Sequence, residues 1–110
     1  MRPQESHVSA TSVPVIAPHG DVDIEALPAL QDRADAALAE HGALILDAGG
    51  IAFADSSFLR LVLTLHSRGD LRIASPSPTV QRLLRVVGAD TFLSLYATVE
   101  AARSGRLTAA

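Results

Sequence analysis

The chain has 110 residues with a formal net charge of −3, 48% hydrophobic content and only 4% aromatics. That length suits one domain with an aliphatic core. The scarce aromatics and negative charge argue against a nucleic-acid ligand, which asks for a basic face or stacking platforms. The chain has no cysteine, which excludes disulfides, thiolate catalysis and cysteine-bound zinc and fits a reducing cytoplasm.

Residues 1–12 are polar and read as a flexible N-terminal segment without the apolar run of a signal peptide. Val13 to Ala17 has strand character. Pro14 cannot donate to a ladder, so this strand belongs at a sheet edge. Gly20-Asp21-Val22-Asp23 reads as a turn into a helix. From about Glu25 to His41, Leu27, Leu30, Ala34, Ala37 and Leu38 recur at helical spacing. Pro28 sits in the first turn, and Gly42 ends the helix. Ala43 to Asp47 is an apolar run of strand length, expected to be buried on both faces.

Ala48-Gly49-Gly50 is a loop, and Ile51 to Ala54 an apolar strand leading to Asp55-Ser56-Ser57. A second helix follows from about Ser57 to His66. Only Arg60, Thr64 and His66 interrupt its apolar character, so it is expected to be largely buried. Even its most apolar stretch, Phe58 to Leu65, is too short to span a bilayer. Gly69-Asp70 is a turn and Leu71 to Ser75 a strand. Ser77 caps a third helix that has Pro78 at its first position. Val80, Leu83, Leu84 and Val87 form its core face, and Gly88 closes it. Phe92 to Tyr96 is a last strand, and Thr98 caps a short final helix, with residues 104–110 a flexible tail. Strands alternating with single helices predict an α/β fold: one domain over residues 13–103, a small mostly parallel sheet with an N-terminal edge strand, and about four helices packed against it.

Little in this pattern is catalytic. His7, His19, His41 and His66 lie in different elements and lack metal-ligand spacing. Gly49-Gly50 lacks the lysine of a phosphate-binding loop. Ser56 and Ser57 lack a neighbouring base and the nucleophile elbow of a hydrolase. Asp21, Asp23 and Asp55 read either as an acidic cluster or, by their positions before helices, as caps. The same holds for Ser56 and Ser57, since serine is a common cap.

The order of these motifs carries a resemblance. Gly20-Asp21-Val22-Asp23, Leu44 to Asp47, Ile51 to Ser57, and Ser75-Pro76-Ser77-Pro78 with Val80, Leu83 and Leu84 together resemble the STAS domain. Within it they are most similar to bacterial anti-sigma-factor antagonists. The match spans roughly residues 13–103. The resemblance implies that Ser56, or as second choice Ser57, accepts phosphate from a partner that is both anti-sigma factor and serine kinase. That partner supplies ATP and Mg²⁺, so the chain itself needs no cofactor or metal and is no enzyme. The unphosphorylated form binds and the phosphorylated form is released. Asp21, Asp23, Asp55, Ser57, Phe58 and Arg60 are then the partner-binding set, in a cytoplasmic protein that binds neither nucleic acid nor membrane.

The sequence departs from the family where a glycine, a leucine and a small residue are expected and Phe58-Leu59-Arg60 stands. Either Phe58 turns inward with Arg60 solvated, or both are exposed on an altered partner surface; a changed partner preference with the switch retained is the expectation. Two alternatives stand beside it. One is a constitutive STAS interaction module not controlled by phosphorylation; the other is a small enzyme or nucleotide-binding domain using the acidic loops. The sequence sets no oligomeric state.

Overall fold

The computed structural model describes residues 13–105; the expected flexible start, residues 1–12, and residues 106–110 of the expected tail lie outside it, while Ser104 and Gly105 of that tail are the end and C-cap of a helix. The elements run β1 Val15–Ile16, β2 Gly20–Val22, α1 Leu27–His41, β3 Ala43–Asp47, β4 Ile51–Ala54, α2 Ser56–Arg68, β5 Asp70–Ala74, α3 Pro78–Val86, β6 Ser94–Tyr96 and α4 Val99–Ser104. A 3₁₀ turn at Ala89–Thr91 separates α3 from β6. The α/β class and parallel sheet are as expected.

Four strands form a parallel sheet in the order β1-β3-β5-β6. β3 is an inner strand because Ala43 to Leu46 are apolar and buried: Leu44 and Leu46 face one core while Ala43 and Ile45 face another. The larger core is built with Leu30, Ala34 and Leu38 of α1, Phe58, Leu61, Val62 and Leu65 of α2, and Val80 and Leu84 of α3. The smaller one packs Val13, Ala74, Tyr96 and Ala102 under α4. Arg72 ties α4 down: it donates to the Ala102 carbonyl at 2.7 Å and pairs with Asp70 at 2.8 Å. Hydrogen bonding to Asp70 outweighs burial and raises its pKa above the usual arginine value. The edge position of β1 matches its proline, because Pro14 contributes only its carbonyl, to Ile45 N–H at 2.9 Å.

Four local expectations are corrected. Gly20–Val22 is a strand rather than a turn: it pairs in parallel with β4, and Val22 is buried. Gly20 takes φ +80° there, a left-handed backbone that suits glycine. α1 starts at Leu27 instead of Glu25, because the Asp23 carboxylate accepts the N–H groups of Glu25 and Ala26 and holds a turn before the helix. At the end of α3, Gly88 turns left-handed, and Val87, expected in the core face, is 52% exposed. The 3₁₀ turn then delays β6 to Ser94, leaving Phe92 exposed rather than in a strand.

Candidate functional site

β2 and β4 lie side by side with Val22 opposite Ala54. The next residues, Asp23 and Asp55, therefore leave from the same end of the pair, the carboxyl end, where parallel strands deliver loops and helix starts. Each aspartate is used locally. Asp23 Oδ1 accepts from Glu25 N–H at 3.1 Å and Ala26 N–H at 3.2 Å. Asp55 Oδ1 accepts from Ser57 N–H at 3.0 Å and so caps α2. Among the described residues no three His, Cys, Asp or Glu side chains are grouped to hold a metal ion. Asp55 is thus a helix cap, whereas Asp23 holds the turn before α1, whose N-cap is Ala26 without a side-chain bond. Asp21, two residues before Asp23 and opposite Phe53, is exposed.

The cap decides what Ser56 is. With Asp55 at the N-cap, Ser56 is the first residue of the helix and has no capping duty. It is exposed, and no described residue bonds to its hydroxyl. Without a base on its own chain, that hydroxyl is a weak nucleophile that an incoming enzyme would have to activate. Ser57 is half-buried, its N–H held by Asp55.

The two alternatives for the residues downstream separate cleanly. Phe58 is 0% exposed and lies in the larger core. Its place in the partner-facing set is corrected: a side chain sealed under α2 offers a partner no surface. Arg60 is exposed, on the outward stripe that also carries Ser56, Leu63 and Ser67. Leu63, 38% exposed, shows that α2 is less buried than its composition suggests.

Sequence reasoning missed one feature beside the site. Phe53 of β4 is 46% exposed and, with Ala54, Thr79, Arg82, Leu83 and Val86, lines a groove of about 300 Å³ between β4 and α3. Thr79 Oγ1 donates to the Ala52 carbonyl at 3.3 Å and helps hold α3 against β4. The available signal was a lone phenylalanine in a short strand whose pairing with β2 had gone unseen. No helix among the described residues is long and apolar enough to cross a membrane.

The family model described as "Mlab, STAS domain" matches residues 6–97. Among solved structures, the chain is similar in fold to the anti-sigma factor antagonist SpoIIAA in its unphosphorylated form. The TM-score is 0.70 at 24% identity, covering 86% of this chain and 89% of that one. An anti-sigma factor antagonist from Mycobacterium paratuberculosis gives a TM-score of 0.74 at 23% identity, over 83% of this chain and 82% of that one. No curated protein matches.

Proposed function

The chain belongs to the STAS domain family, and from that membership we propose that it is an anti-sigma-factor antagonist switched by phosphorylation at Ser56. In its unphosphorylated form it binds an anti-sigma factor that is also a serine kinase; the phosphorylated form is released. It is the kinase's substrate and not an enzyme, and the kinase brings ATP and Mg²⁺. Asp21, Asp23, Asp55, Ser57 and Arg60 surround the contact, with Phe53 added as an apolar element of the same end of the molecule.

The observation that carries this reading is the exposed Ser56 hydroxyl, free of bonds to any described residue and set directly after a capping aspartate. Phosphorylation replaces a neutral group by about −1.5 to −2 charges. Two like charges about 4 Å apart at an effective dielectric of about 20 repel by roughly 4 kcal/mol. The α2 dipole offsets only about 0.3–1 kcal/mol, and does so in free and bound states alike. In the free protein water screens the same repulsion to about 1 kcal/mol, so a partner that covers this surface raises it by about 3 kcal/mol, which weakens binding more than a hundredfold.

Intact-mass measurement after incubation with the cognate kinase and Mg-ATP tests the assignment. The wild type and Ser57→Ala are expected to gain one phosphate and Ser56→Ala none; equal modification of Ser56→Ala would overturn it. The Phe53–Val86 groove favours a second reading, a constitutive interaction module, because an apolar groove binds regardless of the state of Ser56. Under that reading partner binding is indifferent to charge at position 56.

A further inference from the structure

We infer that Arg60 is an internal counter-charge for phosphate on Ser56, holding the modified side chain against this chain's own helix. The inference rests on the phosphorylation of Ser56 proposed above. Ser56 and Arg60 are four residues apart on α2 and both exposed. Residues at that spacing are neighbours on a helix surface, with Cβ atoms about 5–6 Å apart. Long side chains on a helix lean toward its N-terminus, so the guanidinium inclines toward the turn that carries Ser56.

Arg60 is also uncommitted. Arg68 on the same helix is paired with Asp35 at 2.6 Å, and Arg72 with Asp70. No described carboxylate pairs with Arg60, and beyond the helix's own ladder its one bond is from Thr64 Oγ1 to its backbone carbonyl at 2.9 Å. A guanidinium presents a planar fork that matches phosphate oxygens, and such charge-assisted bonds are about twice as strong as neutral ones. Asp55, Asp21 of β2, and the loop carboxylates Asp23 and Glu25 that follow β2 are the opposing charges on this side of the molecule. None of them can hold a phosphate; of the nearby cations, Arg82 of α3 lines the groove beside Ala54, and Arg60 is the one a single turn from Ser56 on the same helix.

The pairing has a regulatory consequence. Before phosphorylation the outward stripe of α2 offers a free cation to a partner. Afterwards the phosphate engages that cation, and the charge of the Ser56–Arg60 pair falls from +1 to about −0.5 to −1. Release then comes from withdrawal of Arg60 as well as from repulsion.

The test uses full-length protein with phosphoserine placed at position 56 by genetic encoding, so neither kinase nor partner is required. Phosphorus NMR follows the second phosphate ionisation across pH in this protein, in Arg60→Gln and in Arg60→Lys. An adjacent cation favours the dianion. The apparent phosphate pKa is therefore expected about half a unit or more lower with Arg60 in place than in Arg60→Gln, and Arg60→Lys should restore part of the difference. The carboxylates are common to all three proteins and cancel from the comparison. Coincident titrations of the arginine and glutamine forms would overturn the inference and leave the switch standing. Failure of the kinase to modify Ser56 would sink the switch and leave the titration unaffected.

Discussion

Two helices of this fold begin with a serine, and the two serines do opposite things. Ser77 stands at the N-cap of α3, is buried, and accepts a hydrogen bond from Val80 N–H at 3.3 Å. Ser56 stands one position later relative to its helix, behind the Asp55 cap, and is exposed with no bond from any described residue. A hydroxyl that satisfies a helix end is withdrawn from chemistry. Relieving it by an aspartate one residue earlier frees it. The lesson is positional: a one-residue offset at a helix start separates a structural serine from a modifiable one.

The exposure of Ser56 depends on α2 holding its outward stripe in place, and Phe58 is the anchor. Truncating a fully buried phenylalanine removes apolar burial and leaves a cavity, so Phe58→Ala is expected to cost about 3–5 kcal/mol, read by denaturant unfolding. A loss below about 1 kcal/mol would show that Phe58 is not sealed in the core, and would restore it as a surface candidate. Next in size is Ser56→Asp. A carboxylate at the first helical position favours the helix by about 0.3–1 kcal/mol, while placing a charge beside Asp55. Stability is thus expected to hold or rise slightly as affinity for the anti-sigma partner, measured by calorimetry, falls tenfold or more. Unchanged affinity would favour the constitutive module.

The central sheet was legible in the sequence because burial on both faces writes an uninterrupted apolar run, as in Ala43 to Leu46. Caps at Ser77 and Thr98 were legible because proline and the hydroxyl residues have few other reasons to stand before a helix. β2 was not legible. Its three residues include a left-handed glycine and an exposed aspartate, and only Val22 carries a strand signal. Without β2 the pairing that brings Asp23 beside Asp55 is invisible, and so is the exposure of Phe53 on β4. The candidate site was found through motif order and resemblance, since local chemistry alone left Ser56 indistinguishable from a cap. Phe58 was misplaced because an aromatic after a small-residue motif fits either face of a helix until the stripe Phe58, Leu61, Val62 and Leu65 is assembled in the core, with α2 packed against α1, β4 and β5.

The smallest expected effects divide the two serines most directly. Ser77→Ala removes the acceptor for Val80 N–H in a buried setting, so it should cost about 1 kcal/mol, or about 4–8 °C in Tm for a domain of this size. The same substitution at Ser56 removes no hydrogen bond. Alanine is also the better helix former at an exposed position. Ser56→Ala is therefore expected to stay within about 0.5 kcal/mol of wild type. Thermal unfolding of the pair followed by circular dichroism reads both. A loss at Ser56 equal to that at Ser77 would mean that the Ser56 hydroxyl shares the capping of α2 with Asp55. It would then be committed to the fold, and the distinction that makes it available to a kinase would fail.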